Sequence, residues 1–282
     1  MFREKISRNQ FVYTCEILPP KDGNHLGIFS RLEGVADHFD GLNLPSCPLG
    51  RLRAHSLSFG YLLQKELSVE AIVHFTGRHH TVLSFESELL GAHLLGIRNV
   101  LCVTGDKPLE GRAFSDLNSI TLLRIARNMN QGLTEAREAL KTPPDFLLCS
   151  DYNPNVANIE AENRRALEKH TNGARVFFTQ PVFNVDRFID AVGILRTFAP
   201  ESKVIAGLSY LHNKKLAMRL QKFLGIPYDY INSLEQDETG LLVKTAQRIR
   251  GLVDGFYVIP VGVYEKAREL AVELKSRVDI QQ

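Results

Sequence analysis

None of the four cysteines, Cys15, Cys47, Cys102 and Cys149, forms a Cys-x-x-Cys pair with another. Zinc and iron–sulfur sites need such spacing, so no metal centre is expected. Three of the four fall in segments read below as strands, where a free thiol behaves as a small buried apolar group. No apolar run approaches the ~18 residues of a membrane span. The start, Met-Phe-Arg-Glu-Lys-Ile-Ser-Arg, puts charges where a secretory signal needs its apolar centre, so a cytoplasmic protein without membrane contact is expected. No Pro-, Gly- or Ser-rich linker divides the chain. No Gly-x-Gly-x-x-Gly follows a strand-like run, which argues against a dinucleotide-binding doubly wound sheet. Neither charge sign dominates: 34 basic against 32 acidic side chains give a net charge of +2. Nucleic acid is therefore not indicated as a partner, and small-molecule chemistry is the default.

What the chain does have is repetition. From Asn99 to Pro108 a short apolar run, Val100 to Val103, breaks at Thr104-Gly105-Asp106, as a buried parallel strand ending in a functional loop would. Before it, Val82, Phe85, Leu89 and Ala92 mark one face of a helix over Thr81–Gly96, with Gly96 as its C-terminal stop. The same unit recurs. Strands are predicted over Phe11–Leu18, Gly41–Leu44, Val69–Phe75, Asp145–Cys149, Val176–Thr179, Lys203–Leu208 and Phe256–Val261. Helices are predicted over Leu26–Phe39, Leu57–Leu67, Ser115–Met129 with Ser115 as cap, Ile159–Thr171, the stretch carrying Val185, Phe188, Val192 and Leu195, the stretch marked by Leu216, Leu220 and Phe223, Glu238–Val253 and Tyr264–Leu274. Ile159–Thr171 reads as charged and exposed.

Eight strands alternating with helices over 282 residues, 44% of them hydrophobic, fit a single (β/α)8 barrel spanning residues 1–282. Such a barrel carries its site at the carboxyl ends of the strands. Glu16, Asn43, His74, Asp106, Asn153 and Gln180 would then share one rim. Each also has a plain reading. Asp106 fits a turn aspartate bonding its own backbone, Gln180 fits a cap on its own loop, and Glu16 fits an ion pair with Lys21 or Arg53.

Three motifs then resemble the methylenetetrahydrofolate reductase family: Glu16-Ile17-Leu18-Pro19-Pro20-Lys21; Leu89 to Leu101 followed by Thr104-Gly105-Asp106; and Gly173-Ala174 followed by Thr179-Gln180-Pro181-Val182-Phe183. The resemblance runs from about Phe11 to Gly225 and more weakly to the end. It implies flavin-dependent reduction of 5,10-methylenetetrahydrofolate to 5-methyltetrahydrofolate, in one-carbon metabolism and methionine biosynthesis. The implied cofactor is FAD, with FMN as alternative, and the electron donor is NAD(P)H or a partner electron-transfer protein. A homo-oligomer is expected.

Residue by residue, the resemblance makes Glu16 the general acid that opens the methylene bridge, a role suited to a carboxyl whose pKa an apolar barrel mouth raises. Asp106 is implied to stabilise the iminium and to bond the pterin, and Gln180 to contact folate and nicotinamide in turn. His74, Thr76, Thr104, Gly105 and Asp106 are implied flavin contacts, with Asn43 and Asn153 on the same rim. Lys169 matches a basic residue near the cofactor phosphates; its plain reading is a solvated charge. Phe183 and Lys214 are the further expected substrate contacts. The chain departs from the family pattern at Asn43, where many members carry Thr, at Thr76-Gly77-Arg78-His79, which lacks a carboxylate, and at Ser209 to Lys214. Two other readings compete: a folate-binding barrel without flavin, and a non-redox pterin methyltransferase on the same fold.

Overall fold

A computed structural model describes residues 1–112, 116–234 and 237–278, with residue 223 described by its backbone alone. Eight parallel strands close in sequence order into a barrel: β1 (Val12–Glu16), β2 (Gly41–Leu44), β3 (Glu70–Thr76), β4 (Asn99–Val103), β5 (Leu147–Tyr152), β6 (Val176–Pro181), β7 (Lys203–Ser209) and β8 (Gly255–Ile259). Around them lie α1 (Phe2–Ser7), α2 (Leu26–Leu32), α3 (Ser56–Leu67), α4 (Val82–Leu94), α5 (Ser119–Asn130), α6 (Ile159–Thr171), α7 (Val185–Phe198), α8 (Lys214–Leu224), α9 (Tyr228–Ser233), α10 (Glu238–Ile249) and α11 (Tyr264–Arg277). This is the (β/α)8 barrel expected from the alternation. No helix among the described residues is long and apolar enough to cross a membrane.

Side chains alternate across each strand, so each strand has an inward and an outward set. Outward residues such as Cys15, Leu42, Val73, Cys102 and Phe177 join the helices in one large apolar layer. Inward residues Val12, Ile72, Leu101, Cys149, Val176, Phe178, Ile205 and Tyr257 fill the barrel and pack on Phe2 and Ile6 of α1, which plugs its amino end.

Polar caps set the helix starts. Thr81, Asn118, Asn158, Asn184, Asn213 and Asp237 each accept a backbone N–H of the first turn of α4, α5, α6, α7, α8 and α10. The cap predicted at Ser115 lies outside the described residues, and α5 is capped by Asn118. The helix predicted over Leu26–Phe39 stops at Leu32, because Gly34 takes a φ of 67° and a separate 3-10 turn follows over Ala36–His38. The helix predicted to Val253 ends at Ile249 in a 3-10 turn. α6 is not exposed throughout: Glu162, Asn163, Ala166 and Lys169 are buried.

Candidate active site

The inward set, followed to the carboxyl ends of the strands, turns polar. Glu16 on β1, His74 and Thr76 on β3, Asp151 on β5, Gln180 on β6, Ser209 on β7 and Tyr257 on β8 line one cavity of about 620 Å³, joined by Thr104, Gly105 and Asp106 from the loop after β4. Leu101, Val103, Phe178 and Ile259 give it apolar surface, and Arg51 and Arg53 stand in its wall as cations. A larger groove of about 850 Å³ runs over α2, α10 and α11 on the outer helix layer; no strand end opens into it, so the barrel mouth is the candidate site.

Glu16 is held by one strong partner. Register places β1 beside β8, and Tyr257 donates from its hydroxyl to Glu16 Oε2 at 2.5 Å. Burial pushes the Glu16 carboxyl above its ordinary range, against the opposing pull of the Tyr257 bond. No ion pair joins Glu16 to Lys21 or Arg53: Tyr257 is the side chain that bonds it, and Arg53 donates to the Pro19 carbonyl at 3.2 Å. Burial also raises the Tyr257 phenol well above its ordinary value, with the Glu16 charge adding to it, so Tyr257 stays a donor.

Gln180 reaches the cavity through a bulge. Phe178 pairs with Ile205 but Pro181 with Gly207, so β6 carries one extra residue there. Gly207 donates its N–H to Thr179 Oγ1 at 3.0 Å, and a Cβ at position 207 would sit 2.6 Å from the Thr179 carbonyl oxygen. Pro181, which has no N–H to give, falls where the ladder is already irregular.

Asp106 lies beyond β4 in the loop, where the Leu49 N–H donates to its Oδ2 at 2.7 Å. It is thus fixed by a neighbouring loop and not by its own turn. Arg78 clamps the same loop, donating from Nε to the Gly105 carbonyl at 3.0 Å. Thr76 Oγ1 pairs with His79 Nδ1 at 2.7 Å. His74 is held neutral, because burial lowers its pKa to about 3. Beneath it Asn43 is fully buried, with Nδ2 3.4 Å from His74 Nε2. Asn43 supports the cavity and does not line it.

Four further expected contacts stand away from the cavity wall. Lys169 is 3% exposed, not solvated, and its Nζ donates to Asp151 Oδ1 at 2.9 Å and to the Asp151 carbonyl at 2.7 Å. Asn153 organises its own loop, donating its N–H to Glu162 and accepting from the Asn155 N–H. Phe183 packs edge-on against Tyr230, with ring centroids 5.0 Å apart, in a satellite core. Lys214 begins α8, which reaches the cavity instead through Leu220 and Leu224.

Asp151 and Tyr257 were not predicted. The signal for both was parity: each lies two residues beyond an inward position, Cys149 on β5 and Gly255 on β8.

A family model described as Methylenetetrahydrofolate reductase matches residues 1–246. No curated protein sequence matches the chain significantly. Among solved structures, an uncharacterized protein from Clostridium thermocellum that binds two copies of 5-methyl-5,6,7,8-tetrahydrofolic acid superposes with a TM-score of 0.70 over 99% of this chain and 98% of that one, at 18% identity.

Proposed function

The chain belongs to the methylenetetrahydrofolate reductase family, and from that premise we propose that it reduces 5,10-methylenetetrahydrofolate to 5-methyltetrahydrofolate by hydride transfer from a bound flavin. The observation that carries this reading is that Glu16, Asp106 and Gln180, from three separate regions of the chain, line one cavity at the barrel mouth. A 5-methylated tetrahydrofolate, the product of that reaction, is what the Clostridium thermocellum protein of the same fold binds.

The cavity suits a flat heteroaromatic ring. Leu101, Val103, Phe178 and Ile259 offer apolar faces, and the backbone at Gly105, with φ at 83°, stays bare because a Cβ there would lie 2.7 Å from Thr76 Cβ. His74, Thr76, Thr104, Gly105 and Asp106 are the residues that would hold the flavin ring. Arg51 and Arg53 are the lining cations available to its phosphate, since Lys169 is sealed behind Asp151. The flavin, FAD or FMN, supplies the hydride when bound, recharged by NAD(P)H or by a partner electron-transfer protein.

The chain's own residues do the rest. Glu16, whose carboxyl burial shifts toward its protonated form, gives its proton to the folate nitrogen that leaves as the methylene bridge opens. Tyr257 fixes the carboxyl and takes part of the charge left on it. Asp106, anchored by the Leu49 N–H, faces the resulting iminium with a carboxylate. Gln180 offers amide donors and an acceptor to the substrate. Leu101, Val103, Phe178 and Ile259 give the substrate ring apolar surface to pack on.

The test is the visible spectrum of the purified protein before and after anaerobic addition of NADH, joined to turnover of Glu16→Gln. The expected result is a flavin band, and a variant that still binds folate but reduces it at least about a hundredfold more slowly, the usual worth of a positioned acid. A colourless protein that binds folate without reducing it would replace this reading with that of a folate-binding barrel.

A further inference from the structure

The solvent face of α4 is built unlike those of the other outer helices. Phe85, Leu89 and Ala92 are buried against the barrel. The acids of the helix are turned aside: Glu88 holds His55 and His80, and Glu86 accepts the Glu135 N–H at 2.7 Å. What faces solvent on α4, among the described residues, is uncharged: Leu83 at 77% exposure, Ser87, Leu90 at 36% and Leu94 at 84%, with Val82 and Leu95 extending the patch at its ends. The exposed faces of α6, α8, α10 and α11, by contrast, carry Glu168, Lys215, Lys244 and Glu269. A run of exposed leucines on a helix already committed to the core on its other side marks an interaction surface.

The spacing of this face says what covers it. Leu83, Ser87, Leu90 and Leu94 follow one another at steps of four, three and four residues, the seam of a two-stranded coiled coil. Those steps read the same from either end, so the stripe is complementary to a reversed copy of itself. In an antiparallel pair with its two-fold axis between Ser87 and Leu90, Leu83 meets the Leu94 of the second copy. Ser87 meets Leu90, a small side chain beside a large one, and every contact occurs twice, as an isologous interface requires. Charge agrees with this orientation. Glu86 and His93 lie half-buried on one edge of the stripe, one on each side of its midpoint. Antiparallel pairing sets each Glu86 near the His93 of the other copy, whereas parallel pairing sets it near Gly91. A membrane surface is a poorer match, because interfacial helices carry Lys and Arg beside their apolar face and α4 has neither.

We propose that α4 is a dimerisation surface, on which a second copy of this chain packs antiparallel through Leu83, Ser87, Leu90 and Leu94. The patch is one helix wide, below the standard interface size, so the dimer is a reversible one. The proposal is independent of the folate reading, since none of these four residues lines the cavity.

Sedimentation equilibrium over a concentration series tests it with the wild type, Leu83→Glu, Leu94→Lys and the double variant carrying both changes. The wild type is expected to pass from monomer to dimer as concentration rises. Each single substitution sets a charge against a leucine twice per dimer and raises the dissociation constant at least about tenfold. The double variant sets Glu against Lys twice in the antiparallel register, so it associates more tightly than either single variant. In a parallel register it would bring like charges together and associate more weakly. Both positions are exposed, so unfolding midpoints equal to the wild type show that the changes act on association and not on folding. A wild type that stays monomeric at every concentration overturns the proposal. So does a dimer that neither single substitution weakens, which would place the interface elsewhere. A double variant weaker than both single ones overturns the antiparallel pairing.

Discussion

Glu16 and Tyr257 meet because the first and last strands of the barrel are neighbours, and no local pattern links them. Their bond opposes the burial that raises the Glu16 pKa. With Glu16 in the proposed role of general acid, which must be protonated to act, kcat/KM is expected to fall as pH rises through the Glu16 pKa. Tyr257→Phe removes the bond that favours the ionised form, so the Glu16 pKa rises further and the alkaline limb of the profile moves to higher pH. The pH–rate profile of the variant checks this, and a limb that stays in place removes Tyr257 from Glu16 tuning. At neutral pH the rate changes by less than about tenfold, because the acid itself remains. Glu16, Asp106 and Gln180 were legible because Pro19, Gly105 and Pro181 punctuate their strand ends. Asp151 and Tyr257 were not, because a continuous apolar strand gives no local sign of which side chains face inward. Lys169 was misread because a lysine among charged neighbours looks solvated in sequence, and only the Asp151 carboxylate behind β5 explains its burial.

The joint between β3 and α4 shows how a secondary element is pinned at the mouth. His80 Nδ1 lies 2.7 Å from the Thr76 carbonyl, which can only accept, and Nε2 lies 3.1 Å from Glu88 Oε2. Both ring nitrogens therefore donate, and His80 is an imidazolium. His55 adds a second contact to the same oxygen at 3.1 Å. Burial works against both charges. The Glu88 bond nevertheless raises the His80 pKa above 6.5, and the two histidines pull Glu88 from 4.5 to about 2. The Glu88 contribution to stability is present above its unfolded value near 4.5 and is lost as pH falls toward about 2. The His80 contribution is present below 6.5 and is lost as pH rises through its raised folded value. The pair therefore supports the fold most between pH 4.5 and 6.5. Glu88→Gln is expected to cost about 1–3 kcal/mol in that window and less on either side, read as unfolding midpoints across pH. A constant loss at every pH would show that packing alone holds the joint. Helices and strands were legible here, since Thr81 is a plain capping residue, but the histidine pair was not: His55 and His80 are brought together by the barrel and not by sequence spacing.

At the scale of the molecule, closure separates two tasks along one axis. The mouth is polar and open, while the amino end is sealed by α1, where Phe2 is wholly buried and its ring centroid lies 6.2 Å from that of Phe178. The barrel itself was readable because eight alternations over this length admit few architectures. The plug was not, because a six-residue helix is too short to show a period, and its charges drew attention away from Phe2 and Ile6, one turn apart. Arg3 ties the plug down through its backbone N–H to Glu70 at 3.0 Å, and its guanidinium reaches Asp145 at 2.6 Å. Inward layers of Ile72, Leu101, Cys149 and Ile205 lie between this end and the mouth. Phe2→Ala therefore leaves a void under the barrel floor and should lower stability by about 3–5 kcal/mol, as large-to-small core changes do. Urea unfolding measures that loss, and titration of 5-methyltetrahydrofolate at low temperature should give an affinity equal to the wild type. A matching fall in affinity would mean that the layers transmit strain from floor to mouth, and that the amino-terminal plug sets the geometry of the site as well as the stability of the barrel.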